Sequence, residues 1–150
     1  MMRKAVTSAF AAKYGPWAIV AGASEGLGAA FAEELAARGL NLLLLARRGT
    51  ALSAVADQIR AAHRVEVRAE PCDLSRPDLA AWLEQTTAKL DVGLAVYNAA
   101  HAPVGAFVER PIGDLLQVVD VNVRGPLVLA RTFASRMAAR RRGGLVLMSS

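Results

Sequence analysis

The chain has 150 residues, 54% hydrophobic and 21% charged, with a formal net charge of +5. That is the size of one domain, able to bury roughly 70% of its unfolded surface, too apolar for extended disorder and without the roughly 20-residue apolar run that crosses a bilayer. A single cysteine, Cys72, excludes an internal disulfide and fits a reducing cytoplasm.

Residues 1–14, MMRKAVTSAFAAKY, start basic and small but are broken by Thr7, Ser8 and Lys13. They read as an N-terminal arm with a helical turn rather than a signal peptide. The apolar run 17–21 is a first strand. Directly after it, Ala21 to Gly28 reads AGASEGLG, three glycines in seven positions. Residues 27–38 form an amphipathic helix with Leu27, Phe31 and Leu35 inward, stopped at Gly39. Residues 42–45, all leucine, are too short for a helix and too apolar for an edge, so they predict a central strand. A helix over 50–62 follows, with Leu52, Val55, Ala56 and Ile59 on one face.

Val65, Val67 and Ala69 alternate with charged residues, predicting a strand near a sheet edge that Pro71 ends. Pro77 opens a helix to about residue 89, with Leu79, Leu83 and Leu90 inward. A fourth strand spans 92–98, then a loop with Pro103 and Gly105. A long helical stretch over 112–142 is interrupted near Gly125-Pro126, and a fifth strand spans 145–148. Strands alternating with helices predict an α/β fold: a Rossmann-type, doubly wound parallel sheet in one domain over 1–150, of strand order 3-2-1-4-5.

The glycines then fall where a buried strand meets a helix N-terminus. They serve either a tight turn alone or a cradle whose free amides and helix dipole favour a phosphate. The placement, with a second strand following on schedule, favours nucleotide binding. In that frame Gly22 permits the turn, while Gly26 and Gly28 let ligand approach the backbone. A cofactor with a free 2′-hydroxyl usually meets an acid after the second strand. Here that strand ends Ala46-Arg47-Arg48. Arg47 suits a 2′-phosphate, so NADP(H) is favoured over NAD(H); a solvated loop arginine is the alternative, and for Arg48 both stay open.

The basic run Arg140-Arg141-Arg142 precedes Gly143-Gly144 and has no aromatic platform beside it. It fits a helix C-terminus better than nucleic-acid binding. His63 and His101 read as surface residues, Cys72 as a small semi-buried one, and no cluster has metal-ligand spacing.

With Cys72-Asp73-Leu74, Tyr97-Asn98-Ala99-Ala100, Val121-Asn122-Val123 and the Leu145–Ser150 strand, the G-x-x-x-G-x-G turn resembles the short-chain dehydrogenase/reductase family, over about residues 14–150. Tyr14-Gly15-Pro16-Trp17 and Glu33-Glu34-Leu35-Ala36 are most similar to its hydroxysteroid and 3-ketoacyl reductase branch. The resemblance implies an NADP(H)-dependent enzyme interconverting a carbonyl and a secondary alcohol of a small, lipid-like substrate, and a homo-oligomer when complete. It implies cofactor contacts at Gly22, Ser24, Gly26, Leu27, Gly28, Arg47, Arg48, Asp73, Leu74, Asn98 and Ala99, with Asp73 at the adenine. Catalytic roles fall to Asn122, holding a relay water, and Ser150, hydrogen-bonded to the substrate oxygen. Ala21 stands where the family has threonine, Tyr97 where it has asparagine and Ala100 where it has glycine, which implies looser coupling between two cofactor loops. The family's Tyr-x-x-x-Lys is expected beyond Ser150, so these 150 residues alone are expected to bind cofactor without turnover; a non-catalytic nucleotide-binding module is the alternative.

Overall fold

A computed structural model describes residues 8–149. Residues 1–7 of the expected arm, and Ser150, lie outside the described residues. Helix α1 (Ala9–Tyr14) is capped by Ser8, whose Oγ accepts the Ala11 amide hydrogen at 3.1 Å. Five parallel strands follow: β1 (Trp17–Ala21), β2 (Asn41–Ala46), β3 (Val67–Pro71), β4 (Val92–Tyr97) and β5 (Gly144–Leu147). They pair in the expected order β3-β2-β1-β4-β5. β1 and β4 are buried at every position and β2 at all but Asn41, as strands covered on both faces must be.

Alternate strand residues feed two cores. Ala18, Val20, Leu42 and Leu44 pack with α2 (Gly26–Ala37) and α3 (Gly49–Ala62). Ile19, Ala21, Leu43 and Leu45 pack with α4 (Leu79–Thr86) and α6 (Gly125–Arg140). A sheet covered on both faces by its own crossovers reverses strand order between β1 and β4, and this places the carboxyl ends of those strands at one crevice. No described helix is long and apolar enough to cross a membrane.

Two local expectations change. β3 starts at Val67 and runs through Pro71 instead of ending before it. Leu42 N donates to Glu66 O and Cys72 N to Ala46 O, so the proline nitrogen falls on the outer side of this edge strand, where no donor is needed. Leu27 faces solvent, 62% exposed, while Gly28, Ala32, Leu35 and Ala36 form the buried face of α2. The glycine admits the helix so close to the sheet that the inward stripe begins one residue later.

The expected interruption of the long helix is a π-turn. α5 (Ile112–Val119) runs into Asp120–Arg124, one wide turn in which Gly125 N bonds to Asp120 O, and then into α6. In this five-residue register the next donor, for the Val121 carbonyl, would be residue 126. That residue is proline and has no N–H. Tyr97, buried at the end of β4, supplies the missing donor: its Oη bonds to Val121 O at 2.5 Å. Burial pushes the phenol pKa well above its usual value, so it stays a donor. Gly125 makes the fit possible, because a Cβ there would overlap the phenol oxygen.

The arginines at the end of α6 are structural. Arg141 forms the left-handed cap at φ 57°. Arg140 pairs with Asp91 and reaches Val92 O; Arg142 bonds to Gly15 O at 2.9 Å and to Asp91 Oδ2 at 2.9 Å. Arg136 donates to the buried Thr87 Oγ1 at 2.8 Å.

Replacing Tyr97 by phenylalanine keeps the ring and strands the Val121 carbonyl. Denaturant unfolding of Tyr97→Phe is expected to show a loss of about 1–3 kcal/mol, the penalty of an unsatisfied buried acceptor; an unchanged midpoint would contradict this account of the π-turn.

Candidate functional site

At the carboxyl edge of the sheet a cleft of about 220 Å³ is lined from four loops: Gly22, Ser24 and Glu25 after β1, Ala46 to Arg48 after β2, Cys72 and Leu74 after β3, Asn98 to His101 after β4, with Val121 from the π-turn. Sequence-expected residues thus converge from chain positions far apart. Gly26, Leu27 and Gly28, at the start of α2, follow this wall without lining the cleft, and Asp73 is exposed beside it.

The glycines divide their work differently from the sequence expectation. Gly22 has φ 84°, and a Cβ there would lie 2.6 Å from Ala99 N and 2.7 Å from Ala99 Cα. A Cβ on Gly28 would overlap the Gly22 carbonyl oxygen and come 3.0 Å from Asn98 Nδ2. Gly28 therefore permits protein to approach protein, not ligand. Only Gly26, at φ 55°, has open space where a Cβ would point. The amides of the first turn of α2 have no intrahelical partners, and Glu25 at the cap position places no side-chain oxygen on them. This is the anion-favouring end of the helix.

Ala21 does not uncouple the loops. Asn98 N and Ala99 N both donate to Ala21 O, at 2.9 and 3.1 Å, and Asn98 Nδ2 reaches Gly22 O at 3.4 Å. Main chain supplies the tie that a threonine hydroxyl would have reinforced.

The charges differ in how far they are engaged. Arg48 pairs with Glu25 at 2.7 Å, whereas Arg47, exposed at the end of β2, has no ion-pair partner among the described residues. Asp73 Oδ1 accepts from the Ser75 hydroxyl at 2.6 Å and amide at 2.9 Å. That hydroxyl above all, with the amide and the Arg47 and Arg76 charges, holds the Asp73 carboxyl below its usual pKa against the opposing effect of burial. Arg124 links this turn to the π-turn: its Nε binds Asp120 at 2.8 Å, and its Nη atoms reach the carbonyls of Ser75 and Arg76. Cys72 is fully buried rather than semi-buried. Burial pushes its thiol to about 11 despite the nearby Arg76, so it is an inert wall residue at neutral pH.

Asn122 sits in the π-turn with both ends of its amide on the loop after β4. Oδ1 accepts from His101 N at 2.8 Å and Nδ2 donates to His101 O at 2.9 Å. One Oδ1 lone pair and one Nδ2 hydrogen remain for a water. Neither histidine is a free surface residue: His101 lines the cleft, and the His63 ring meets Glu33 at 2.5 Å, tying α3 to α2. Ser149 is exposed past β5, beside Met148, whose amide donates to Tyr97 O at 2.9 Å. Glu25 and His101 were missed as cleft residues; their positions inside the glycine turn and just past β4, at carboxyl ends of strands, were the available signal. Among the described residues no group of three or more His, Cys, Asp or Glu side chains could hold a metal ion.

These geometries separate the glycines experimentally. Gly26→Ala is expected to lower stability by about 1–2 kcal/mol, the strain of a left-handed alanine. Gly28→Ala, which must part α2 from the β1 turn, should lose about 3 kcal/mol or more. Urea unfolding of the two variants reads the difference, and equal losses would contradict this division.

The sequence profile of the family described as short chain dehydrogenase matches residues 16–150. The chain is 36% identical over 141 residues to a 7beta-hydroxysteroid dehydrogenase of Clostridium sardiniense, covering 94% of this chain and 54% of that one. To "Inactive hydroxysteroid dehydrogenase-like protein 1" of Rattus norvegicus it is 32% identical over 141 residues, covering 92% and 43%. The chain spans about half the length of the curated relatives it matches. Among solved structures, a 7beta-hydroxysteroid dehydrogenase studied for its stereoselectivity superposes with a TM-score of 0.88 at 32% identity, over 93% of this chain and 54% of that one. A short-chain dehydrogenase from Sphingobium yanoikuyae in complex with NADPH gives 0.84 at 32% identity, over 91% and 54%. Glycine turn, cleft, strand order and matched profile agree, and the chain belongs to the short-chain dehydrogenase family.

Proposed function

We propose that residues 1–150 form the dinucleotide-binding domain of an oxidoreductase that interconverts a carbonyl and a secondary alcohol, with NADP(H) favoured over NAD(H). The observation that carries the cofactor preference is Arg47: exposed on the cleft wall at the end of β2, with no carboxylate after that strand and no ion-pair partner among the described residues. The residues present fit such a cofactor. Gly26 leaves open space at the uncapped start of α2 for a pyrophosphate, and Asp73 and Leu74 flank the place of an adenine. Ser24, Asn98 and Ala99 line the way toward β4. When bound, the nicotinamide supplies or takes up the hydride at the carbonyl carbon.

The chain's own groups hold and orient. Asn122 fixes the loop after β4 through both amide atoms and retains one donor and one acceptor for a relay water. Ser150 donates a hydrogen bond to the substrate oxygen in this reading. Similarity to hydroxysteroid dehydrogenases supports a lipid-like substrate. A second copy of the chain is the proposed partner of the exposed stripe Ile112, Leu116, Val119, Val123 and Leu127, which runs along α5, the π-turn and the start of α6. A non-catalytic nucleotide-binding role is the second reading, favoured by the likeness to a rat protein named inactive; NADPH-dependent reduction of ketones by the full-length protein would discard it.

In the full-length protein, Arg47→Ala is expected to weaken NADPH by roughly 1–3 kcal/mol, the scale of a hydrogen bond to a charged group, and to leave NADH unchanged. Fluorescence titration with both dinucleotides checks this; equal weakening would remove the 2′-phosphate from Arg47.

A further inference from the structure

Glu25 stands in an unusual position for an acid beside a phosphate site. It lies inside the glycine turn, on the cleft wall, at the cap position of α2. The shorter aspartate is the acid that ordinarily turns inward at a cap and accepts the free amides of the first helical turn. Glu25 makes no such bond. It reaches from the loop after β1 to the loop after β2 and pairs with Arg48 at 2.7 Å. Both partners line the cleft beside Arg47.

We propose that Glu25 is a specificity-determining residue that restrains 2′-phosphate binding by competing for Arg48. The proposal rests on the cofactor reading above. Two guanidiniums follow β2, and one of them is already held by a carboxylate of the neighbouring loop. The pair is open to water, with side chains 61% and 75% exposed. Such a pair is weak and exchangeable. A phosphate dianion, with more charge and more acceptor oxygens than a carboxylate, draws Arg48 away from it. Once Arg48 turns to the phosphate, Glu25 is left unpaired at the same cleft edge, and like charges at short range oppose one another. The carboxylate thus cancels part of the attraction that Arg47 and Arg48 offer. Its repulsion of the pyrophosphate at the start of α2 is common to both dinucleotides, so Glu25 discriminates only through the 2′-phosphate. Glu25 therefore narrows the preference for NADP(H) without abolishing it, and leaves Arg47 as the principal phosphate contact.

The test is calorimetric titration of the full-length protein and its Glu25→Gln variant with NADPH and NADH, with thermal melts to confirm that both are folded. Glutamine keeps the length and polarity of the side chain and removes only the charge. Glu25→Gln is expected to tighten NADPH about 5–10-fold more than NADH, the order expected from removing one like charge near a partly exposed site. Arg48→Met supplies the converse: it exposes the Glu25 charge, so NADPH should weaken by a similar factor relative to NADH. An unchanged NADPH-to-NADH ratio in Glu25→Gln, or an equal gain for both, would overturn the inference while leaving the cofactor reading intact. Failure of the unmodified protein to bind either dinucleotide would overturn both.

Discussion

The site depends on how closely the main chain leaving β1 approaches the main chain leaving β4. Gly22 lies against the backbone of Ala99, with no room for a methyl group, and Gly28 brings α2 down onto the Gly22 carbonyl. Ala21 O then accepts two amides from the β4 loop. Because parallel strands end in register, this contact sits where the strand order reverses, and the helix N-terminus, both arginines and the β4 loop are drawn to one edge. A side chain at either glycine would force the elements apart, and the cleft would lose its floor before any ligand contact was tested.

A second layer of order comes from donors assigned to carbonyls that regular structure leaves unpaired. Tyr97 serves Val121 in the turn that Pro126 cannot complete, and Arg124 serves Ser75 and Arg76 from the same turn. Asn122 holds both main-chain atoms of His101. The wide turn is thereby fastened to the end of β4 and to the loops that follow β3 and β4. An irregular helix segment persists where surrounding partners over-determine it, and here each partner also forms or adjoins the cleft wall.

Much of this was legible from residue order. Burial alternation and the all-apolar runs located β1, β2, β4 and their sequence neighbours, because a strand covered on both faces has little freedom in composition. The edge strand was legible only in outline. Pro71 marks an end when read as a residue lacking a donor, yet the side of the strand on which that donor is missing is a property of pairing. Leu27 looked inward because periodicity assumes equal standoff along a helix, and Gly28 breaks that assumption. Partners across the fold were not legible: Glu25 with Arg48, Tyr97 with Val121, and the arginines of α6 with Asp91 join residues that no local pattern relates. The positions of cleft residues could be read from the sequence; the bonds that hold them could not.

The bond from Arg142 to the Gly15 carbonyl joins residues 127 apart in sequence. Together with Asp91, which Arg140 and Arg142 share, it gathers the entrances of β1, β4 and β5 into one knot at the amino edge of the sheet, opposite the cleft. The two edges are therefore governed separately. The charged cluster of Asp91, Arg140 and Arg142 shares no residue with the cleft, so sequence drift around the cleft can retune ligand choice while the far edge keeps the strands aligned.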